Sequence, residues 1–366
     1  MRVIFAGGGT GGHINPAVSI ADYAKSRDKD FEALFIGTEK GLEKKLVPAL
    51  GYNIEYIDVQ GFDRSHLLSN VKTLEKLFKS VRRCRQIIRE FKPDCIVCTG
   101  GYVSGPVTMA AHKEGVPSLI HEQNVFPGLT VKGSEKYVDY LALSFDETVN
   151  DMKEKSKCVV TGNPVRESII NADREECRKK LGITEPFVLI FGGSLGAAKI
   201  NSTVTDMLGR VSAENKFRLV FGTGDRNYDA VMKAIADKGI TLGENVTVTA
   251  YINNMAEMMA AADLVVSRSG AITVSEIAAL GKPSILIPSP NVVRNHQEQN
   301  AREFADCGAA EMILESELSA ELLYAKITEL IADKSRMRSM SENLKKLAKT
   351  DALEKLYGLM LKMSEK

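Results

Sequence analysis

One titratable side chain lies in a glycine-rich turn near the start of the chain. The run Ala6–Pro16, AGGGTGGHINP, follows the apolar residues VIF and contains five glycines, so its backbone N–H groups can approach a ligand closely. The turn also carries Thr10, His13 and Asn15, all able to form hydrogen bonds. We expect a helix to begin near Pro16. An imidazole that titrates near neutral pH makes His13 the first candidate for a general base.

The glycine pattern narrows the class of ligand. It formally matches G-x-G-x-x-G from Gly7 to Gly12, but the second predicted strand ends in Gly37 and Thr38 instead of the acid that holds a dinucleotide ribose. No Walker lysine follows the glycines, which excludes a P-loop. The remaining possibilities are a nucleotide sugar or another ligand that contains phosphate.

Further groups suited to a diphosphate lie in the second half of the chain. The loop GGSLGA, with Ser194, opens a helix whose free N–H groups could bind an anion. A second helix begins after Gly270 in SRSGAITVSE, and Glu276 falls in its first turns, where a carboxylate can accept both ribose hydroxyls. Arg166 in GNPVR could bind a phosphate through two hydrogen bonds. Each of these groups also has a structural alternative. GGSLGA could be a turn needed only for packing, Glu276 could stabilise the helix start, and Arg166 could form a surface or interdomain ion pair.

Composition indicates a soluble globular protein of two domains. The chain has 366 residues, 44% of them hydrophobic, and a formal net charge of +1, so it has no overall field to attract nucleic acid. We find no signal peptide and no stretch of about 20 apolar residues, and we expect a cytoplasmic protein. Six scattered cysteines indicate reduced thiols. Cys95 and Cys98 form a C-x-x-C on a predicted strand, where they would face opposite sides, so we expect structural burial.

Apolar strand-like runs alternate with helical stretches through both halves of the chain. The alternation predicts two doubly wound domains, each a parallel sheet with helices on both faces, and a boundary near Gly162–Glu185. The predicted strands are Val3–Ala6, Glu32–Ile36, Ile54–Val59, Cys95–Thr99, Ser118–His121, Tyr140–Ser144, the run PFVLIF, Arg218–Phe221, Val246–Val248, Leu264–Ser267, Ser284–Pro288 and Ala310–Ile313. Polar, glycine-rich clusters follow most of these runs, and ligands bind at the carboxyl ends of the strands in such sheets.

The segment Arg64–Lys92 differs from the rest in its charge. It contains nine Lys or Arg against two Glu, and its apolar residues recur at helical spacing. The apolar stripe consists of Leu67, Val71, Leu74, Phe78, Val81, Cys84, Ile88 and Phe91. One interpretation is a helix packed on the sheet with a solvated basic face. The other is a surface that docks on anionic lipid.

Taken in order, seven motifs resemble the MurG family of peptidoglycan N-acetylglucosaminyltransferases. They are GGGTGGHINPA, GGYVSGP, HEQN, TGNPVR, GGSLGA, SRSGAITVSEIAALGKP and NHQEQNA, at approximately the family's spacing. The resemblance implies an α/β fold of the GT-B type, with two Rossmann-like, doubly wound parallel-sheet domains that face an interdomain cleft. It implies an acceptor and membrane-facing domain over 1–162, a UDP-GlcNAc-binding domain over 163–345, and a C-terminal helix over 346–366 that packs back on the first domain.

Carried over by position, the resemblance also implies roles for single residues. Glu276 would hold the ribose diol, the Ile252 backbone would hold the uracil, and His13 would be the catalytic base near the acceptor hydroxyl. The implied substrate-binding residues are Thr10, Gly11, Gly12, Asn124, Arg166, Ser194, Ile252, Ala271, Ile272, Thr273, Val274, Ser275, Glu276 and Gln297. Two positions depart from the family. His296-Gln297 stands where relatives carry two glutamines, so either residue could contact the sugar, and Phe221-Gly222 replaces a His-Gln pair.

The reaction that the resemblance implies is inverting transfer of GlcNAc from UDP-GlcNAc to the 4-hydroxyl of MurNAc in undecaprenyl-pyrophosphoryl-MurNAc-pentapeptide. The partners would be UDP-GlcNAc, the lipid-linked acceptor and, through Arg64–Lys92, an anionic membrane surface at the inner face of the cell membrane. No D-x-D-type motif stands beside the diphosphate loops, so we expect no metal and no cofactor, with helix N–H groups stabilising the leaving UDP. We expect no nucleic-acid partner.

Three other functions share parts of this pattern. A GT-B glycolipid synthase that transfers a hexose to diacylglycerol would carry a similar N-terminal glycine motif. A UDP-GlcNAc 2-epimerase has the same architecture but needs carboxylates clustered around the sugar. A non-catalytic sugar-nucleotide-binding protein would bind the donor without turnover. Turnover with each acceptor, or with none, separates these functions.

Overall fold

The computed structural model describes residues 1–60, 70–193 and 195–365, with side chains at all of these positions except 70–74 and 293. The chain divides into two compact units. The first consists of Met1–Val165 together with Lys349–Lys366, and the second of Arg166–Ala348. Each unit contains one sheet.

The first unit has alternating strands and helices up to its last strand. Its elements are β1 (Arg2–Ala6), α1 (Gly11–Arg27), β2 (Glu32–Gly37), α2 (Glu43–Ala49), β3 (Asn53–Tyr56), α3 (Asn70–Phe91), β4 (Cys95–Cys98), α4 (Gly101–Glu114), β5 (Ser118–Glu122), α5 (Leu129–Ser134), β6 (Tyr140–Leu143) and β7 (Cys158–Val160). The strands form one parallel sheet in the order β3-β2-β1-β4-β5-β6-β7.

The second unit repeats this arrangement. Its elements are α6 (Glu167–Ile170), α7 (Arg174–Leu181), β8 (Phe187–Phe191), α8 (Ala198–Glu214), β9 (Arg218–Gly222), α9 (Tyr228–Asp237), β10 (Val246–Thr249), α10 (Met255–Ala261), β11 (Leu264–Ser267), α11 (Ala271–Ala279), β12 (Ser284–Leu286), α12 (His296–Ala305), β13 (Glu311–Met312), α13 (Ala320–Ala332) and α14 (Lys334–Leu347). Its parallel sheet has the order β10-β9-β8-β11-β12-β13. A final helix, α15 (Ala352–Ser364), belongs to the first unit.

The predicted fold class is confirmed: both sheets are parallel and doubly wound. All twelve predicted strands are present, although β13 is shorter than expected, because only Glu311 and Met312 pair with β12. Sequence reasoning missed β7, a three-residue strand that is only partly buried and lacks a long apolar run. It pairs with β6 and extends the sheet at its edge.

Both faces of the first sheet are covered, which explains its continuous apolar strands. Cys95 packs into the core under α1 and α15, whereas Cys98 packs into the core under α3 and α4. The expected burial of this pair on opposite faces is therefore confirmed. Burial raises the pKa of the Cys95 thiol to about 12, so the thiol is protonated at neutral pH.

The predicted start of α1 near Pro16 is wrong. The helix begins at Gly11, where the Thr10 carbonyl accepts the backbone N–H groups of His13 and Ile14 at 3.1 and 3.2 Å. Pro16 lies inside the helix and only removes one internal hydrogen bond. His13 therefore belongs to the first helical turn instead of the preceding loop.

The predicted amphipathic helix is present as α3, with one correction. Arg64–Ser69, including Leu67, lies outside the described residues. Val81, Cys84 and Ile88 are buried as expected, but Phe78 is 67% exposed, because it lies one residue away from the buried stripe that continues through Leu77. None of the helices in the described ranges is long and apolar enough to span a membrane.

Substitutions in α15 measure how much the C-terminal residues stabilise the first unit. Leu356 is fully buried among residues of α1 and the sheet, so Leu356→Ala is expected to lower the free energy of unfolding by ~2–5 kcal/mol. Leu361→Ala, on the same helix but 41% exposed, is the matched control and should change it by less than about 0.5 kcal/mol. Urea unfolding of both variants measures the difference; equal losses would contradict this packing.

Candidate active site

A buried carboxylate holds the glycine-rich turn of the first unit. Glu43 begins α2 and is 1% exposed. Its Oε2 accepts the Gly9 N–H at 3.0 Å, and its Oε1 accepts the backbone N–H and the hydroxyl of Thr38, each at 2.9 Å. Thr38 directly follows β2, at the place where a dinucleotide fold would carry its ribose-binding acid. Here the acid comes from α2 and binds protein N–H groups instead of a ligand.

His13 is half-buried and is held on one side of its ring. Its Nδ1 lies 3.0 Å from the Thr99 carbonyl oxygen and 3.2 Å from Gln123 Oε1, and the Thr99 hydroxyl donates to the His13 carbonyl at 2.7 Å. A Cβ on Gly100, whose φ is +98°, would lie 2.8 Å from Nδ1. Glycine at this position therefore leaves room for the ring, and Nε2 is the nitrogen that remains for chemistry.

The loop after β5 is organised by a second buried carboxylate. Glu122 is 3% exposed; its Oε1 accepts the backbone N–H and the side-chain Nδ2 of Asn124 at 2.9 and 3.0 Å. Its Oε2 accepts the Gly128 N–H at 2.7 Å. Glu122 therefore fixes the place of Asn124, one of the predicted binding residues, at the carboxyl end of the first sheet.

In the second unit, α11 begins without a side-chain cap. Gly270 caps the helix without a side chain, and the first N–H bonded within the helix is that of Val274, which donates to the Gly270 carbonyl at 3.0 Å. The N–H groups of Ile272 and Thr273 precede this bond, at the positive end of the helix dipole. They are available to an anion.

Glu276 lies one turn into α11 and is 8% exposed. Its Oε1 lies 3.5 Å from Arg166 Nη2, so the structure brings together two predicted site residues that are 110 positions apart. Burial raises the pKa of the Glu276 carboxyl, and the nearby Arg166 guanidinium partly opposes this shift. A buried carboxylate with one long, partly exposed ion pair is poorly compensated, which is typical of a group that waits for a ligand.

The start of α12 is tied to the loop that precedes α11. The Ser269 hydroxyl donates to the Gln297 carbonyl at 2.7 Å, and Asn300 Nδ2 donates to the Ser269 carbonyl at 3.2 Å. Gln297 Oε1 accepts the Ser289 N–H at 2.9 Å. The amide nitrogen of Gln297 is therefore the group that remains to donate a hydrogen bond. Gln297, Ser269 and the start of α11 therefore form one neighbourhood.

Ile252 lies after β10, beside the carboxyl end of β9. It is 6% exposed and packs on Gly222, where a Cβ would lie 2.8 Å from Ile252 Cδ1. The departure Phe221-Gly222 thus has a packing reason. The backbone of Ile252 remains the predicted uracil contact.

The predicted site residues fall in two groups, each within its own unit. Thr10, Gly11, Gly12, His13 and Asn124 belong to the first unit, and Thr10 and Gly12 are exposed at the start of α1. Arg166, Ile252, Ala271, Ile272, Thr273, Val274, Ser275, Glu276 and Gln297 belong to the second. Ser194 lies outside the described residues. In the described ranges, no cluster of three or more His, Cys, Asp or Glu could hold a metal ion.

Sequence reasoning missed the residues that position the others. Glu43 stands on a short helix without a recognisable motif. His121 and Gln123 lie within HEQN, Ser269 lies within SRSGAITVSE and Asn300 lies within NHQEQNA, but the sequence alone indicates no role for any of them. Their types gave no signal because each binds backbone groups that only the folded chain brings near.

Models of known families match both units. The glycosyltransferase family 28 N-terminal domain matches residues 3–142, and the glycosyltransferase family 28 C-terminal domain matches residues 187–356. These two matches cover most of both sheets.

Individual relatives agree with the family models. The chain is 48% identical to a UDP-N-acetylglucosamine–N-acetylmuramyl-(pentapeptide) pyrophosphoryl-undecaprenol N-acetylglucosamine transferase of Acetivibrio thermocellus, over 98% of this chain and 97% of that protein. It is 27% identical to the crystal structure of Acinetobacter baumannii MurG, with a TM-score of 0.78 and 99% of each chain covered. A UDP-GlcNAc 2-epimerase from Neisseria meningitidis, solved with UDP-GlcNAc, has a TM-score of 0.65 at 14% identity, covering 99% of this chain and 100% of that one. This last likeness concerns the fold alone.

The raised pKa of Glu276 predicts a pH-dependent cost to stability. The folded chain holds this proton more tightly than the unfolded chain, whose carboxyl titrates near 4.5, so stability falls as the pH rises from about 4.5 through the higher folded value. Glu276→Gln should therefore raise the free energy of unfolding at pH 7.5, with little gain at pH 4. Urea unfolding at both pH values measures this, with exposed Glu321→Gln as control. A variant less stable than the wild type at pH 7.5 would contradict the assignment.

Proposed function

The chain belongs to glycosyltransferase family 28, and from this membership we propose that it transfers N-acetylglucosamine from UDP-N-acetylglucosamine to undecaprenyl-pyrophosphoryl-N-acetylmuramyl-pentapeptide. The observation that carries the proposal is the 48% identity, over 98% of the chain, to a relative named for this activity. The lipid-linked product of this reaction would be used in peptidoglycan synthesis.

The second unit would bind the donor. Glu276, which is buried and lies 3.5 Å from Arg166, has oxygen lone pairs suited to the two ribose hydroxyls. The N–H groups of Ile272 and Thr273 would receive the diphosphate, and Gln297 would offer its amide nitrogen to the sugar. Ser194 would add a hydroxyl donor. The variant Glu276→Gln, which we expect to be more stable, should therefore bind UDP less tightly.

The first unit would supply the base. His13 Nε2 would take the proton of the MurNAc 4-hydroxyl while that oxygen attacks the anomeric carbon of GlcNAc. The bond between the anomeric carbon and the UDP oxygen breaks, and its electrons leave with UDP. Attack from the side opposite the leaving group inverts the configuration and forms a β(1→4) bond. Negative charge grows on the departing diphosphate, where helix N–H groups stabilise it.

Incubation with UDP-GlcNAc and a short-chain lipid-linked MurNAc-pentapeptide tests the proposed function. The expected products are UDP and a lipid-linked disaccharide, detected by chromatography and mass spectrometry. Parallel reactions use diacylglycerol with UDP-glucose, and UDP-GlcNAc without any acceptor. Hexosyl-diacylglycerol or UDP-ManNAc as the product would replace the proposal with a glycolipid synthase or an epimerase.

Replacing the base should slow the chemical step. His13→Ala is expected to lower kcat by roughly 10²–10⁴-fold, because proton transfer by a positioned side chain contributes about this much. The KM for UDP-GlcNAc should change less than kcat, since the proposed ribose, uracil and sugar contacts Glu276, Ile252 and Gln297 belong to the second unit. Steady-state kinetics at saturating acceptor measures both constants, with exposed His112→Ala as the control. Normal turnover by His13→Ala would remove His13 from the role of base.

We further propose that α3 docks on an anionic membrane at the cytoplasmic face, where the lipid-linked acceptor resides. Several cations of this helix are paired: Lys76 with Asp58, Lys79 with Glu75, Arg83 with Glu55, and both Arg85 and Arg89 with Glu114.

Arg82 is exposed and forms no ion pair with the described residues, and Phe78 beside it is 67% exposed. We define Phe78, Lys79 and Arg82 as the docking surface. An apolar ring between cations suits an anionic lipid interface.

Charge reversal tests the docking surface. Lys79→Glu combined with Arg82→Glu should weaken binding to phosphatidylglycerol vesicles by about tenfold or more, because each basic residue near an anionic surface contributes ~1 kcal/mol. Binding to neutral phosphatidylcholine vesicles should be weak for both proteins. The control is Lys233→Glu with Lys238→Glu on exposed positions of the second unit. Vesicle flotation measures binding, and equal flotation of the Lys79, Arg82 variant and wild type would exclude this surface.

A further inference from the structure

A chain of hydrogen bonds in the first unit begins at a buried histidine. His121 is fully buried, and its Nε2 lies 3.0 Å from the Gly162 carbonyl oxygen, which can only accept. The Ser144 hydroxyl, 3.4 Å from the same nitrogen, donates its proton to the Glu122 carbonyl at 2.7 Å. Nε2 therefore carries the ring proton. Burial lowers the pKa of His121 to about 4, so the ring is neutral at pH 7 and its Nδ1 is an acceptor.

The next member of the chain is Gln123, which is 3% exposed. One end of its amide lies 2.9 Å from the Thr99 carbonyl oxygen, 3.0 Å from the His121 carbonyl oxygen and 2.9 Å from His121 Nδ1. All three are acceptors, so this end is the NH2 group. An amide turned the other way would set its oxygen against three lone pairs. The orientation of Gln123 is thus decided without any reference to His13.

The remaining end of the Gln123 amide is its oxygen, which faces His13. His13 Nδ1 lies 3.2 Å from this Oε1 and 3.0 Å from the Thr99 carbonyl oxygen, and neither partner can donate. We propose that Gln123 is a positioning residue: with the Thr99 carbonyl it holds His13 as the Nδ1–H tautomer and reserves the Nε2 lone pair as the base. The base role rests on the proposed function, whereas the tautomer rests on these contacts alone.

The same two contacts also stabilise the His13 ring in its charged state. When Nε2 takes the proton of the acceptor hydroxyl, His13 becomes an imidazolium, and its Nδ1–H is still bonded to two oxygen dipoles, Thr99 O and Gln123 Oε1. The ring neither turns nor exchanges protons on its Nδ1 side during the step. Gln123 therefore acts on kcat through His13.

The tautomer can be read directly. Long-range 1H–15N correlation spectra of the imidazole-labelled, full-length protein distinguish a protonated Nδ1 from a protonated Nε2. The chain has five histidines, and the spectra of His13→Ala and His121→Phe assign the two that matter. In the neutral state of each ring, we expect the Nδ1–H form for His13 and the Nε2–H form for His121. The Nε2–H form at His13 would overturn the proposal, whether or not the protein transfers GlcNAc.

Gln123→Met keeps the length of the side chain and removes both ends of the amide. We expect His13 to show a mixture of tautomers, and kcat to fall by roughly 3–10-fold at unchanged KM values, as for the loss of one neutral hydrogen bond. Gln86→Met, on the exposed side of α3, is the control. A Gln123→Met protein with the wild-type tautomer and kcat would overturn the positioning role. If this variant does not fold, the wild-type spectrum still decides the tautomer.

Discussion

The first unit depends on polar groups that bind the backbone of its strand-end turns from inside the protein. Glu43 binds the turns after β1 and β2, Glu122 binds the turn after β5, and Thr99 binds the start of α1. Burial of a carboxylate is costly unless its oxygens are hydrogen-bonded, and here both carboxylates accept three N–H or O–H groups each, which offsets that cost. The turns are therefore rigid although they contain many glycines.

The helix starts at the two candidate sites share one feature, the absence of a side-chain cap. Thr10 precedes α1 without a side-chain cap, and Gly270 precedes α11 with no side chain to offer. Asp173 and Ser319 cap α7 and α13 by accepting N–H groups, whereas other helices, such as α8 and α9, also begin without a side-chain cap. A cap satisfies the first N–H groups and so competes with an anion for them. The missing cap leaves the first N–H groups of α1 and α11 open to an anion, but α4 and α5 also begin uncapped after a glycine, so the neighbouring side chains are what distinguish the candidate sites.

Most of the fold could be predicted from the sequence, because alternating apolar strands and helices leave few topologies. The early start of α1 was missed, since Pro16 is typical of a first helical position but is also tolerated inside a helix held by other contacts. For the site, sequence reasoning could propose the side chains expected to contact a ligand, such as His13 and Glu276. Residues that face the protein, such as Glu43 and Gln123, could not be predicted, because their partners are backbone groups far away in sequence.

Gln123 shows why the type of such a hidden residue still matters. Its position requires a donor on one side, toward Thr99 O and His121 Nδ1, and an acceptor on the other, toward His13. A carboxylate offers only acceptors and would meet those oxygens with like partial charge, while a lysine or arginine offers only donors. A hydroxyl side chain is too short to bridge both sides. Only an amide of this length joins two rings with opposite polarity at its ends, and the buried neutral His121 sets that polarity once the chain has folded.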